Sequence, residues 1–359
     1  MTLSHVSAPK LQPRKEAEVK SRKVVTTAFC VSALTLAGCS GNSSAGGSGS
    51  CEPLAEMTKV TLGVNPGAQD LVISAMQEQG IAKKYNLDLD VKSFLNPPAS
   101  AAAVIQKAVD VGFGGNTTMA VARAQGSDVF FFGMIAKPVN QVFVPKDSSI
   151  SSLSELEGKK LGSFSGTNSG TFSVLSVVAA KTASMSNLGE DTEVVEAPDA
   201  ALVGLLDQGN IDAMLSGSTG TVQAMLSGQY KSISDLSGDY EDATGQQPTH
   251  VGSVTTESYA SSHCGELIAV SKALRDATDY VKNNDEVWTD YAAELEMTDP
   301  DAPEMLRKVL GPSFTSEWNR QRLEANEELL ASMIPILGTE DFISEVPDGL
   351  FSLDYSATK

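Results

Sequence analysis

Between Lys59 and Ile135, short apolar runs alternate with longer stretches whose apolar residues recur at helical spacing. Lys59–Val64, Leu87–Ser93, Val111–Phe113 and Val129–Ile135 read as strands, and Asp70–Ala82, Ala99–Ala108 and Thr117–Gln125 as helices. The rhythm returns after Gln141, with strands predicted at Gln141–Val144, Lys160–Phe164, Thr192–Glu196 and Ala213–Leu215. Helices are predicted at Ser152–Leu156, Gly170–Ala183 and Asp199–Gln208, and another opens near Gly220. Each β-α-β-α series implies a mainly parallel sheet flanked by helices, so two series imply an α/β protein of two lobes. Gly228–Thr249 is polar and rich in Gly, Ser and acids, and is expected to be a surface connection. Beyond Glu266 the pattern is helical, over Glu266–Asn283, Asp285–Glu296, Ala302–Leu310 and Thr315–Leu337. A helical block without strands needs a sheet to pack on, and the first lobe is the expected host. That divides the chain into lobe 1 (58–138 plus 250–359) and lobe 2 (139–249). The two are joined by crossings near Pro138–Val144 and His250–Val254, a hinge.

The amino terminus follows another pattern. Lys20, Arg22 and Lys23 precede an apolar run from Val24 to Gly38, the layout of a secretory signal. At about 15 residues the run is shorter than the roughly 20 a membrane span needs. Leu36-Ala37-Gly38-Cys39 resembles the bacterial lipobox, in which the cysteine is lipidated and becomes the first mature residue. The resemblance implies a signal peptide at 1–38, a lipid on Cys39, and a Ser/Gly-rich tether within 39–57. The body would then sit on the outer face of the cell membrane, attached through its amino-terminal lipid only. Of the four cysteines, Cys51 and Cys264 remain. In an oxidising compartment they are expected to pair, unlinked thiols being the alternative.

The chain carries 26 basic and 45 acidic residues, and loss of the leader would leave 20 and 43. So acidic a surface repels nucleic acid and anionic lipid, which removes both from the expected partners.

Four predicted strands run into small polar loops that open helices: 65–69 (Asn65, Gln69), 114–118 (Asn116, Thr117), 165–171 (Asn168, Ser169, Thr171) and 216–220 (Ser218, Thr219). In parallel sheets such loops gather at the carboxyl edge, where helix starts offer free N–H groups and partial positive charge. Each loop alone reads as helix capping. Four of them, two from each lobe, point to a cleft for a small polar ligand or oxyanion. Phe94, Phe164 and Phe172 lie near the same strand ends, with core the expected place for Phe164. His250 stands at the return crossing and is a second-rank ligand candidate, an exposed loop position being its expected setting. The sequence has no His pair at metal spacing, no Gly-x-Ser-x-Gly elbow and no phosphate loop with lysine, so neither a metal, a cofactor nor a catalytic residue is expected.

The stretches Lys59–Leu62, Gln79–Leu87, Ala108–Gly115, Ala122–Val129, Ser152–Gly162 and Ala201–Ala213 resemble the solute-binding proteins of nitrate, sulfonate, taurine and thiamine-precursor ABC importers. The resemblance implies a type II periplasmic-binding-protein fold, a monomer that is not an enzyme, and an ABC permease with its ATPase as partners. It implies ligand contacts from Asn65, Asn116, Thr117, Asn168, Ser169, Thr171, Ser218 and Thr219, with Gln69 and His250 behind them. The solute expected first is an aliphatic sulfonate, taurine or nitrate, and second a thiamine pyrimidine or other heteroaromatic vitamin precursor. None of the four loops carries Arg or Lys, so a neutral polar solute fits them as well. An enzyme on the same fold and a ligand sensor remain the other two readings.

Overall fold

The computed structural model describes residues 51–65, 68–95, 97–167, 169–338 and 342–357, which belong to one compact unit. The signal, Cys39 and the tether lie outside the described residues, as does Asn168.

Among the described residues ten strands build two sheets: β1 (Thr58–Val64), β2 (Leu87–Ser93), β3 (Gly112–Gly115), β4 (Val129–Ala136), β5 (Gln141–Pro145), β6 (Lys160–Ser163), β7 (Glu193–Glu196), β8 (Ala213–Leu215), β9 (Tyr230–Asp235) and β10 (Val251–Thr256). In the first sheet β1 pairs in parallel with β2, and a parallel bridge from Leu62 to Val111 joins that pair to the ladder β3-β10-β4. The order is therefore β2-β1-β3-β10-β4, with β10 antiparallel to both neighbours. The second sheet runs β7-β6-β8-β5-β9, with β5 antiparallel to both neighbours. The two orders are the same pattern. Each sheet has one reversed strand, next to last, and in each case it is the strand that enters directly from a crossing.

Both layers are mainly parallel and covered by helices, so their strands read as apolar runs: VFFFGMIA in β4 is buried at seven of eight positions. Helices can settle closely because small residues face them. A side chain at Gly112 of β3 would meet Val104 of the helix Pro97–Ile105 at 2.5 Å, and one at Gly162 of β6 would meet Leu202 of the helix Asp199–Asp207 at 2.7 Å. The outer edge of β4 is closed by the chain's own late segments. Phe131 donates its N–H to Leu350 O and accepts from Ser352 N–H, while Thr315 N–H reaches Ile135 O. Phe351 stacks on Phe131 with ring centroids 5.2 Å apart.

Two expectations need correction. Gly228–Thr249 is not a plain surface connection, because it holds β9 and the helix Leu236–Thr244, whose start is capped by Asp235. As an edge strand, β9 buries only Ser234 fully, so its sequence shows no apolar run. The terminal helices also do not share one host. Cys264–Asn283 packs with the core of the first sheet, whereas Leu329, Leu330 and Met333 of Arg320–Leu337 join Phe172, Leu175 and Val178 beneath the second. Residues 315–319 precede that helix, which opens on Asn319 as its cap.

Cys51 and Cys264 are joined by a disulfide, with Cα atoms 5.5 Å apart. The segment behind it is pinned as well: Asn86 Nδ2 donates to Leu54 O at 2.7 Å, and Gly265 lies so close that a Cβ there would stand 2.7 Å from Glu52 O. Cross-linking residues 213 positions apart removes much unfolded-chain entropy, worth roughly 5 kcal/mol at most on the loop-closure relation. Cys264→Ser is expected to lower urea stability by a few kcal/mol, with the same loss on reduction of the wild type. Equal denaturation midpoints with and without reductant would refute the contribution.

Candidate functional site

Because β1 and β3 are parallel in one sheet, and β6 and β8 in the other, the four predicted loops emerge at the carboxyl edges of their sheets. Two of them meet. A Cβ at Gly170, the first residue of the helix Gly170–Thr182, would stand 3.4 Å from Thr117 Oγ1 and 3.6 Å from Asn116 Oδ1. Two helix starts, one over each sheet, thus face each other across van der Waals distance.

The polar groups there divide into those already used and those left over. Asn116 is fully buried, and its amide is structural: Oδ1 accepts from Thr117 N–H at 2.9 Å and Nδ2 donates to Thr249 O at 3.2 Å. Its backbone N–H donates to His250 O, and His250 N–H donates in turn to Ala136 O, so β3, β10 and β4 are laced together at their rim. Ser169 caps its helix by accepting from Phe172 N–H at 3.2 Å, and its hydroxyl also shares a 2.8 Å bond with Ser165 Oγ. Thr171, the second residue of the same helix, is buried. Thr117, by contrast, is 3% exposed and its Oγ1 has no hydrogen-bond partner. An unsatisfied buried hydroxyl costs about 1–3 kcal/mol, so this one has bonding capacity to spare.

Asn65 is buried at the end of β1, where its carbonyl accepts from Gln69 Nε2 at 3.4 Å. The fourth loop is occupied by a side chain the sequence did not flag. Asp199 accepts from Gly217 N–H at 2.8 Å, and a Cβ at Gly220 would collide with its carboxylate. Burial holds that carboxyl above the usual range, while the N–H groups of Gly217 and Gly220 pull it back. The start of Ser218–Ser227 is therefore already neutralised by an anion of the chain's own, and Ser218 and Thr219 stand half-buried beside it. Asp199 itself reads in sequence as the opening of a helix, and nothing local signals that it caps a different one. Phe172 is core, Phe164 is half-buried against Gly217, and Phe94 lies over Gly63 of β1.

His250 departs from the expected exposed loop position. Only part of the residue meets solvent, and its Nδ1 is sealed without a partner. Burial pushes the imidazole down from its ordinary 6.5 to about 4, opposed weakly by the backbone contact to Ala136. Among the described residues no group of three His, Cys, Asp or Glu side chains is placed to hold a metal ion. None of the described helices is long and apolar enough to cross a membrane.

Two α/β sheets of order 2-1-3-n-4, exchanging their antiparallel strand and opposing their carboxyl-edge loops, define the two-lobed periplasmic-binding-protein fold. The chain belongs to the NMT1/THI5-like family, whose model matches residues 71–287. The alkanesulfonate-binding protein SsuA of Xanthomonas axonopodis pv. citri, bound to MOPS, superposes with a TM-score of 0.64 at 16% identity, over 83% of this chain and 99% of that one. The periplasmic aliphatic sulphonate-binding protein SsuA of Escherichia coli gives 0.62 at 18%, over 77% and 85%. A structure from Methylobacillus flagellatus KT described as a periplasmic sulfonate-binding protein SsuA gives 0.59 at 14%, over 85% and 94%. A search of curated protein sequences finds no match.

The folded state favours neutral His250, so its contribution is complete above pH 6.5 and is lost as pH falls from there to about 4. The loss is at most about 3 kcal/mol. His250→Gln is expected to flatten the stability profile across that interval, which urea unfolding at stepped pH measures. An unchanged slope would place the titration elsewhere.

Proposed function

We propose that this chain is the extracytoplasmic, lipid-anchored receptor of an ABC importer, binding a small polar or anionic organic solute between its lobes and delivering it to the permease. The observation that carries the reading is Thr117 Oγ1, buried and unpartnered where the starts of Asn116–Ala124 and Gly170–Thr182 oppose each other. Family membership and the fold shared with sulfonate-binding proteins support it. On this reading lobe 1 comprises 58–138 with most of 250–359, and lobe 2 comprises 139–249. Asn65, Gln69, Thr117, Asn168, Ser169, Thr171, Ser218, Thr219 and His250 surround the solute, while Asn116 holds the rim in place. Ligand energy closes the cleft only insofar as the solute binds the closed form better than the open one.

The solute class has two versions. Helix starts at 116 and 170 suit an oxyanion such as an aliphatic sulfonate, taurine or nitrate. Asp199 favours the second version, a nitrogen heterocycle such as a thiamine pyrimidine, because a carboxylate at the loop 216–220 repels an anion and attracts an amino or ring N–H.

A thermal-shift series with sulfonates, taurine, nitrate and aminopyrimidines separates the two, since binding to the native state raises the melting temperature. Thr117→Ala is expected to weaken the bound solute about tenfold while the unliganded melt stays within about 1 kcal/mol of wild type. Full affinity in that variant would remove the cleft assignment. Cys39→Ser is expected to release the protein from membranes, and continued membrane association would refute the lipid anchor.

A further inference from the structure

Behind β10 the first lobe holds a small cavity. It lies between β4, β10, the helix Cys264–Asn283 and the segments 315–318 and 356–357, and measures about 30 Å³. The ladder is irregular there. The pairs Gly252–Met134 and Ser253–Gly133 sit between two register shifts, which leave Ile135 and Phe132 of β4 without an opposite residue in β10. Both of those residues line the cavity, and bulges of this kind re-aim the side chains beside them. A Cβ at Gly133 would stand 2.7 Å from Ser253 Oγ, so the glycine leaves room for that hydroxyl at the cavity wall.

From the other side the helix presents Ser271, Arg275 and Thr278, whose spacing puts them on one face. Thr278 is 1% exposed and Ser271 half-buried, and the hydroxyls of both are sealed and unpartnered. A helical Ser or Thr can turn its hydroxyl back to the carbonyl four residues earlier, as Ser176 does to Phe172 O and Thr182 to Val178 O. Ser271 and Thr278 make no such bond. The charge of Arg275 is already met, since Nη2 pairs with Asp276 at 3.2 Å and Nη1 donates to Ala357 O at 3.0 Å. The walls therefore offer hydroxyls rather than net charge, which calls for a neutral ligand able both to donate and to accept. At roughly 10–15 Å³ each, about two waters fit, and little else does.

We infer that this cavity is a hydration site whose two or so internal waters bond Ser271, Thr278 and Ser253, bridging the strand of the second crossing to the helix that carries Cys264. The site is independent of the solute in the cleft, because none of the residues assigned to the cleft lines it.

Oxygen-17 relaxation dispersion on solutions of the full chain counts internal waters that exchange slowly, and urea unfolding reads what they contribute. Ser271→Ala combined with Thr278→Val is expected to lower the count by about two. Thr278→Val alone replaces a hydroxyl by a methyl of the same size and leaves a bridging water short of a partner, so it is expected to raise the unfolding constant about fivefold. Thr278→Ser, which keeps the hydroxyl, keeps the count. The inference is overturned by an unchanged count in the double variant, or by a Thr278→Val protein as stable as the wild type or more so, the result that a dry, unpaired hydroxyl would give.

Discussion

The structure depends on an exchange of strands. Each sheet takes its reversed strand from the chain at the moment it crosses from the other lobe: β5 enters between β8 and β9, and β10 enters between β3 and β4. A crossing that ended in a loop would leave the lobes free. Here each crossing ends inside a ladder, so a hinge motion has to bend the chain in the few residues before β5 and β10. Those residues are held by side chains as well as by backbone. Asn140 Nδ2 donates to Ser216 O at 2.8 Å on one crossing, and Asn116 and Asn326 grip Thr249 on the other.

That arrangement explains why the rim is polar yet buried. Asn116, Asn140 and Asn326 are all nearly sealed from solvent, and each Nδ2 ties a crossing to its surroundings, from Asn116 to Thr249 O, from Asn326 to Thr249 Oγ1 and from Asn140 to Ser216 O. Buried donors are tolerable only when satisfied, so these bonds specify one geometry for the hinge. Three buried polar atoms of this rim stay unpartnered: Thr117 Oγ1, His250 Nδ1 and Asn326 Oδ1. Thr117 Oγ1 is the one that sits where the two helix starts meet. Asp199 works the other way, filling a helix start that would otherwise attract an anion.

Much of the fold was legible because strands such as β4 and β6 are buried along most of their length. A run such as Val129–Ile135 cannot be read as anything solvated, and the loops follow from Gly, Ser, Thr and Asn at the strand ends. What escaped was what faces water or acts at a distance. Strand β9 is half-exposed and polar, so Tyr230–Asp235 looked like a loop. Strand β10 is buried but reads VGSVTT, with two apolar side chains in six, and its partners lie more than a hundred residues upstream. For the candidate site, residue types placed Thr117 at a helix start, whereas the structural duty of Asn116, the capping by Asp199 and the sealed imidazole of His250 arise from contacts between segments that no local pattern encodes.

The disulfide bears on mechanics as well as on stability. Strand β1 lies inside its sheet, between β2 and the bridge to β3, and a chain pulled directly from Thr58 would open that ladder one bond at a time. With Cys51 bonded to Cys264, tension arriving from upstream passes instead into a helix of twenty residues, Cys264–Asn283, seated along the core of the first sheet. Traction on the amino terminus therefore loads many contacts in parallel, and the lobe that carries Thr117 and His250 keeps its shape under a tug that would otherwise unzip it.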